Sequence, residues 1–398
     1  MKNAVNHKEV KRTMDTGLGR FLQTKKCAIL LLLVLVFAIV FCSVVTAWAI
    51  LKATGSSVLH YIPYLAFIIM VLMILSQLIP GEKKAPIIYR AAVSFVTCFC
   101  LYDFMYLFVY EVLEIFMRLK GFVWACGVFI CTGGAILTVI GGAVYARVIK
   151  ETSYDITVEG LSKDCRIALI SDLHMGIYVR SHHIKRTVEK INSFSPDLVL
   201  IAGDIVDVDN RILSEPKRLK QISAIFQGIK SKEGVYATLG NHDPNIEENP
   251  LMRQFLEDSH ITLLHNETVE LENMNLMGRT DDTHNARKSM EEMMENVNKD
   301  KPLIIMDHNP QGIKEAEQYG ADLVVSGHTH KGQFFPLTIF TELANGKHYF
   351  YGHETYGKTQ AVITSGIGFF QLPIRIGSSS EAVEINLSSE KKQQEPEK

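Results

Sequence analysis

The sequence has few cysteines in the region where a disulfide framework or a thiolate metal site would need them. Of seven cysteines, only Cys165 lies outside the apolar N-terminal region. The other six are Cys27, Cys42, Cys98, Cys100, Cys126 and Cys131. This pattern excludes a disulfide scaffold and a paired-cysteine zinc site. It favours a reducing compartment for the C-terminal part.

The sequence also lacks an excess of charge and two common phosphate-binding loops. Its formal net charge is −2 at pH 7, and no basic stripe interleaved with aromatic residues occurs. Nucleic acid is therefore disfavoured as a partner. Neither a GxxxxGK[ST] loop nor a dinucleotide fingerprint is present, so a nucleotide site of either type is not predicted.

Long hydrophobic runs are abundant, but only before about residue 150. Crossing a bilayer as a helix takes about 20 apolar residues. Four stretches meet this requirement: Cys27–Leu51, Val58–Ile79, Ala91–Met117 and Gly121–Ile149. We therefore predict four transmembrane helices over residues 27–149, with the lipid bilayer as a partner. A cleaved signal peptide is the alternative for the first stretch, because Ala47-Trp48-Ala49 resembles a cleavage site; its length and the later spans favour an uncleaved helix.

Lysine and arginine in short loops predict the orientation of these helices. The N-terminal arm, residues 1–26, carries seven of them, whereas the first loop has only Lys52. The N-terminus and, after four crossings, the C-terminal domain are therefore predicted to be cytoplasmic in a multi-pass protein of the cell membrane. The third span contains Asp103, Glu111 and Glu114, for which helix packing and a function inside the membrane are both open. If that span does not cross, the domain is extracytoplasmic.

The C-terminal part, residues 150–387, contains five short apolar runs that each end in side chains able to bind metal. They are Arg166–Gly176, Leu198–Asp207, Val235–Asp243, Leu303–His308 and Leu323–His330. Their alternation with helical patterns predicts an α/β domain with largely parallel strands. Ligands collect at the carboxyl ends of such strands, so we expect the five ends to form one site.

Other elements are predicted from local pattern alone. Tyr154–Val158 and His348–Tyr351 are predicted as strands, and Ala286–Val297 is predicted as a helix. Ser388–Lys398 is polar and has no apolar periodicity, which predicts a disordered tail over residues 388–398.

The residue types at the strand ends suit divalent transition metals. Asp172 and His174 are two positions apart, so both can face one ion only where a strand becomes a loop. Asp204 has two carboxylate oxygens and can bridge two cations, and Asn241 offers a neutral oxygen. Imidazoles come from His308, His328 and His330. Oxygen and nitrogen donors without thiolate favour Mn, Fe, Zn or Co over Ca.

Five motifs in this order resemble the calcineurin-like metallophosphoesterases, over about Cys165–Asn386. They are Asp172-x-His174, Gly203-Asp-x-x-Asp207, Gly240-Asn-His-Asp243, His308 and Gly327-His-x-His330. The resemblance implies two facing β-sheets flanked by helices and a centre of two divalent metal ions. A hydroxide that bridges the ions would attack phosphorus.

The same resemblance implies a role for each matching residue. One ion would take Asp172, His174, Asp204 and His330, and the other would take Asp204, Asn241, His308 and His328. His242 would be the catalytic acid or a charge-stabilising residue, oriented by Asp243.

A bacterial membrane-associated branch of this superfamily is the closer resemblance. It rests on Gly332-Gln333, Thr364–Gly368 and Leu372-Pro-Ile-Arg375. Arg375 is a candidate phosphate contact, since a guanidinium fork suits phosphate, and a structural ion pair is the equal alternative. Gly278–Asp282 is a candidate wall of the cleft.

The sequence thus predicts a membrane-anchored, metal-dependent phosphoric ester hydrolase. Its substrate would be a phosphomonoester, a phosphodiester or a pyrophosphate, and a lipid-linked substrate would fit the anchor. Three alternatives stay open: a membrane sensor that binds metal or phosphate without turnover, a nuclease of the same superfamily, and a transporter with a regulatory domain. Short loops and few spans argue against the transporter.

Overall fold

The computed structural model describes residues 25–76, 87–207, 210–247, 249–284, 287–295 and 297–389. It divides into a helical unit that ends at Tyr145 and an α/β unit that begins at Ala146. Most of the predicted basic arm and of the predicted tail lies outside the described residues. Ser388 is not in a tail, because it is the last residue of a strand.

The helical unit contains, in the described residues, α1 (Lys25–Thr54), α2 (Ile62–Ser76), α3 (Ile87–Met117) and α4 (Gly121–Tyr145). Three stretches of the described chain are long and apolar enough to cross a membrane: Leu33–Thr54, Tyr89–Met117 and Gly121–Tyr145.

The second and fourth predicted spans differ from the structure. The second, Val58–Ile79, contains the 15-residue α2, which is shorter than the roughly 20 residues of a span; its residues 77–79 lie outside the described chain. The fourth was predicted to reach Ile149. The structure ends this helix at Tyr145, because Ile149 instead pairs with Ser380 in a sheet.

Polar side chains join α3 and α4 within the helical unit. The hydroxyls of Tyr106 and Thr138 hydrogen-bond at 2.8 Å. Trp124 Nε1 donates to Glu111 Oε1 at 3.1 Å, a contact that supports the packing explanation for Glu111. Asp103 is buried, and a functional role for it stays a prediction.

The strands of the α/β unit form two six-stranded sheets. Sheet 1 has the order β1 (Ile149–Thr157), β12 (Ser380–Ser388), β2 (Cys165–Ile170), β3 (Leu198–Ala202), β4 (Val235–Thr238) and β5 (Thr262–Leu263). Sheet 2 has the order β10 (Gly352–Tyr356), β11 (Thr359–Ile363), β9 (Leu323–Ser326), β8 (Leu303–Asp307), β7 (Asn275–Arg279) and β6 (Glu267–Glu270).

Both sheets are mixed, with parallel strands at the centre. In sheet 1, β2 to β5 are parallel, and β12 lies antiparallel to β2 and parallel to β1. In sheet 2, β7, β8, β9 and β11 are parallel, and β6 and β10 are antiparallel additions. The parallel strands place their carboxyl ends at one edge of each sheet.

The core follows from the two-residue period of the strands. Ile167 and Leu169 of β2 lie in a core shared with side chains of sheet 2, such as Ile304. Ala168 and Ile170 point to the opposite face and pack with α5 (Ser181–Ser193), α6 (Pro216–Phe226) and α7 (Pro250–Asp258). The outer face of sheet 2 is covered by α8 (Met290–Met294) and α9 (Ile313–Gln318). The prediction of two facing sheets flanked by helices is therefore confirmed.

Two local predictions are wrong in detail, and one helix is missing from them. His348–Tyr351 is not a strand: Lys347–Tyr349 forms a 3-10 turn, and β10 begins at Gly352. The helix predicted over Ala286–Val297 is only α8, since Ser289 caps it through a reciprocal bond with Glu292. A further helix, α10 (Leu337–Asn345), was not predicted.

Candidate metal centre

The seven predicted metal ligands follow five strands of the two sheets. They are Asp172 and His174 after β2, Asp204 after β3, Asn241 after β4, His308 after β8, and His328 and His330 after β9. Five of them form two groups, in each of which the ligand atoms lie within 4.8 Å of one another. One group is Asp172, His174 and His330; the other is Asp172, Asp204 and His308.

Backbone strain is concentrated at these ligands. Asp172, His174, Asp204, His328 and His330 all have φ between 45° and 71°. Such left-handed conformations cost a non-glycine residue about 1 kcal/mol or more each, and they persist where the surrounding structure enforces them. The reversal at Asp172 and again at His174 lets two side chains that are two positions apart reach the same place.

The first group is close-packed. The Nε2 atom of His330 lies 3.2 Å from Asp172 Oδ1 and 3.0 Å from His174 Nε2. His174 Nε2 also lies 3.6 Å from Asp204 Oδ2. Asp172 itself accepts from the backbone N–H of His328 through both oxygens, at 3.2 and 3.1 Å. The two strand-end loops are thus bound to each other.

The second group is centred on Asp204. His308 Nε2 lies 3.2 Å from Asp204 Oδ2, while His308 Nδ1 donates to the carbonyl of Ala202 at 2.7 Å. That second bond orients the ring so that Nε2 faces the centre. Asn241 and His328 lie together, with Asn241 Oδ1 2.9 Å from His328 Nδ1.

The predicted division of ligands between two ions stays a prediction. It assigns Asp204 to both ions, and in the structure the carboxylate of Asp172 belongs to both groups of ligand side chains. Asp204 remains close to both, through His174 and His308.

Gly203 permits the close approach of the loop after β3 to His308, which follows β8 of sheet 2. It has a φ of 83°, and a Cβ atom there would lie 2.7 Å from His308 Nδ1. Any larger residue would displace His308 and strain the backbone before Asp204.

Burial sets the protonation of most of the histidines. It lowers the pKa of His174 and of His328 to about 4 each, and it lowers the pKa of His330 well below the ordinary value. These rings are neutral at pH 7, the form that binds a metal.

His308 behaves in the opposite way. Burial by itself would lower its pKa, but the Asp204 carboxylate outweighs burial and raises it well above the ordinary value. The reciprocal effect lowers the pKa of Asp204, where burial alone would raise it. Without metal, the centre thus contains a buried imidazolium–carboxylate pair.

The residues fit divalent metal ions. The Nε2 atoms of His174, His308 and His330 each lie within 3.6 Å of a carboxylate oxygen of Asp172 or Asp204. Buried charges are paired or coordinate metals, so imidazole nitrogens gathered around two buried carboxylates indicate a site for positive charge. Imidazole and carboxylate donors without thiolate suit Mn, Fe, Zn or Co.

His242 lies at the edge of the centre beneath an aromatic ring. Its ring centroid is 5.4 Å from that of His174, and it stacks on Phe370 at 4.8 Å with 20° between planes. The backbone N–H of His242 donates to Asp204 Oδ1 at 2.9 Å. Gln333 holds Phe370 in place: Gln333 Oε1 accepts from the Phe370 N–H at 2.7 Å, and its Nε2 donates to the Phe370 carbonyl at 3.0 Å.

Asp243 does not orient the His242 ring, contrary to the prediction. Its Oδ1 accepts from the backbone N–H groups of Ile205 and Val206 at 2.8 and 2.9 Å, and its Oδ2 accepts from that of Gly240 at 2.9 Å. Asp243 therefore positions the loops that carry Asp204 and Asn241, and Phe370 is the described partner of the His242 ring.

Arg375 is not placed for the predicted phosphate contact, and among the described residues it forms no ion pair. It is 1% exposed. Its guanidinium donates to the carbonyls of His330 at 2.9 Å, Ser365 at 2.8 Å and Gly368 at 2.6 Å. These bonds tie the His330 loop to the loop after β11. An arginine fixed in this way is unavailable to a substrate.

Sequence reasoning missed the support beneath His308. Asp307, the preceding residue, is bound by Arg287 at 2.5 and 3.1 Å and by Arg279 at 3.3 Å. Arg279 lies in the segment predicted as a cleft wall, but it is buried. His284, which has no motif around it, donates through Nε2 to the carbonyl of Gly240 at 2.8 Å. Only long-range contacts reveal these roles.

Comparison with known proteins agrees with this geometry. A family model for calcineurin-like phosphoesterase matches residues 165–332. An uncharacterized metallophosphoesterase of Helicobacter pylori is 32% identical over 245 residues, which cover 60% of this chain and 63% of that protein. A Danio rerio protein named transmembrane protein with metallophosphoesterase domain is 32% identical over 273 residues, covering 64% of this chain and 60% of that protein. A metallophosphoesterase of Aquifex aeolicus is 27% identical over 259 residues, covering 60% and 92%.

The fold and the centre define a metallophosphoesterase domain. Residues 165–332 match the model of the calcineurin-like phosphoesterases, and the resemblance predicted from the motifs is confirmed. The matches span less than two thirds of the Helicobacter pylori and Danio rerio proteins. The three apolar helices, together with the relatives named as transmembrane proteins, indicate association with a membrane.

Proposed function

We propose that this chain is a membrane-anchored, metal-dependent phosphoesterase that hydrolyses a phosphomonoester, a phosphodiester or a pyrophosphate bond. The observation that carries the proposal is the pair of ligand groups that share Asp172, each with its ligand atoms within 4.8 Å of one another. Two buried carboxylates and several neutral imidazoles at adjoining strand ends suit a pair of cations and have no evident use in a structural core.

The proposed cofactors are two divalent metal ions, drawn from Mn, Fe, Zn and Co. Their ligands would be Asp172, His174, Asp204, Asn241, His308, His328 and His330. When bound, such ions lower the pKa of water and offset the negative charge of phosphoryl oxygens. The protein's own contribution is to hold the Asp204 carboxylate ionised and most of the imidazoles neutral.

His242 is the proposed acid. Phe370 holds one face of its ring, and the bond from its backbone to Asp204 fixes it beside the centre. From this position a protonated imidazole can donate to the departing oxygen, so that the leaving group does not carry a full negative charge. Because Arg375 donates to carbonyl groups, it cannot offset negative charge on the substrate. The bound metal ions and His242 would do so instead.

We further propose that Val58–Ile79 supplies a fourth crossing and that the catalytic domain is cytoplasmic. The stretch contains no Asp, Glu, Lys or Arg, and the lysine and arginine distribution supports an even number of crossings. Protease accessibility in intact and permeabilised cells tests the side: digestion of the domain in intact cells would contradict it.

The proposed activity is tested with the purified full-length chain in detergent. It should hydrolyse a chromogenic phosphate ester with Mn²⁺ and lose that activity on chelation. We expect Asp204→Ala and Asn241→Ala each to lower kcat/KM by more than about 100-fold, because loss of an outer-shell partner already costs 10- to 100-fold.

Asp164→Ala is the matched control, since Asp164 is exposed on the α/β unit and should keep full activity. Bound metal and unfolding temperature are measured for each variant, so that misfolding is recognised. Metal binding without turnover of any ester by the native chain would instead support the sensor alternative, and full activity in Asp204→Ala would overturn the site assignment.

A further inference from the structure

Helix α10 is amphipathic, and its apolar side is turned outward. Eight large apolar side chains of the described α/β unit are exposed, and five of these lie in the nine residues Phe335–Leu343. They are Phe335, Leu337, Ile339, Phe340 and Leu343, each between 38% and 50% exposed. No residue of α10 is buried. Soluble helices ordinarily place such a side against the core.

The positions of these residues make one continuous surface. At 3.6 residues per turn, Leu337, Ile339, Phe340, Leu343 and Ala344 cover roughly half of the helix circumference. The other half carries Thr338, Thr341, Glu342 and Asn345. We call the exposed half, with Phe335, the α10 apolar face.

The polar half is the side that faces the domain. A Cβ atom at Gly332 would collide with the backbone of Thr338, and one at Gly377 would lie 3.5 Å from Thr338 Cγ2. The helix is therefore seated on the chain by its threonine side. Its orientation is fixed at both ends, because Phe334 before it and Tyr349 after it are buried, and Phe335 N–H donates to the carbonyl of Ile376 at 2.8 Å.

We propose that the α10 apolar face inserts into the surface of the lipid bilayer. The chain that presents it also carries three helices long and apolar enough to cross a membrane, so a bilayer is always available to it. A short helix with aromatic and aliphatic residues on one side and polar residues on the other suits the boundary between headgroups and acyl chains. Lys347, exposed just after the helix, would meet anionic headgroups.

The contact has a consequence for the metal centre. Gly332, on which α10 rests, is two residues after the ligand His330. Insertion of the α10 apolar face would therefore set the position of the segment that carries His330 relative to the bilayer. The proposal does not depend on hydrolytic activity and is tested without it.

The test is photo-crosslinking of the full chain in vesicles of phosphatidylethanolamine and phosphatidylglycerol. Phe340 is replaced by benzoylphenylalanine, and in a matched variant the same residue replaces Leu251, which is equally exposed on α7 at 48%. After irradiation, mass spectrometry of the digested protein identifies phospholipid on the labelled peptide. We expect at least several-fold more phospholipid at position 340 than at position 251.

Equal or lower lipid capture at position 340 would overturn the proposal, as would a crosslink there to a second copy of the chain. Leu343, on the same face, is a second labelling position, so that poor folding of one variant still leaves a decisive measurement. Several-fold more capture at 340 or 343 than at 251, in whichever of these variants fold, is the supporting result.

Discussion

On the side of the metal centre built from sheet 1, the Asp243 carboxylate accepts hydrogen bonds from three uncharged backbone amides. On the side built from sheet 2, Asp307 is held by two guanidinium groups, from Arg279 and Arg287. Both carboxylates are buried. Asp243 follows Asn241 by two residues, and Asp307 immediately precedes His308. Backbone dipoles therefore position the strand ends on one side of the centre, and buried charges position those on the other. Removing the carboxylate should cost a different amount of folding free energy on each side.

The largest expected effect is the loss of charge at Asp307. Asp307→Asn leaves Arg279 and Arg287 without their buried anion, and breaking a buried ion pair costs about 3–5 kcal/mol. Urea unfolding of the full chain in detergent measures this free energy. Asp164→Asn, on the exposed surface, is the control and should change it by less than about 0.5 kcal/mol. A cost below about 1 kcal/mol would show that the arginines do not depend on Asp307.

A smaller effect is expected at Asp243. Asp243→Asn removes an acceptor from backbone amides but leaves no opposite charge unpaired, so we expect a cost of about 1–3 kcal/mol. The same urea experiment measures it. The comparison between the two sides would be wrong if Asp243→Asn cost as much as Asp307→Asn.

The smallest effect separates His308 from the other histidines of the centre. Because Asp204 raises the pKa of His308, that ring carries a proton at pH 7 without metal, whereas burial keeps His174 and His328 neutral down to about pH 4. Metal binding at pH 7 should therefore release at least one proton, and metal affinity should rise with pH as His308 deprotonates more easily.

Calorimetry of Mn²⁺ binding in buffers with different ionisation enthalpies counts this proton. His182→Gln, an exposed histidine on α5, is the control and should leave the count unchanged. Binding at pH 7 without proton release would contradict the His308–Asp204 pairing.

The role of a residue in the centre can be predicted from sequence when the residue acts at the end of the strand that carries it. The sequence predicts the ligands because Asp172-x-His174 and Gly327-His-x-His330 are local patterns at ends of apolar runs. The partners of Asp307, Asp243 and Arg375 lie many residues away, and only tertiary packing reveals them. Arg375 shows the risk: its charge suggested a phosphate contact, whereas its burial assigns it to backbone carbonyls.

Helix α10 escaped prediction for a different reason. It is nine residues long and contains Thr338, Ile339 and Thr341, which have weak helix propensity because of their branched side chains. Its apolar residues also do not pack in a core. The rule that an apolar stripe marks the core-facing side of a helix therefore does not apply to α10.

The pairing of β12 between β1 and β2 constrains how this protein is made. Strand β1 begins four residues after Tyr145 ends the last apolar helix, whereas its partner β12 begins only at Ser380. During synthesis the early strands must wait for more than two hundred further residues before sheet 1 can close. The nascent domain thus stays open beside the translating ribosome, and a truncation before Ser380 would leave an inserted anchor joined to an unfinished sheet.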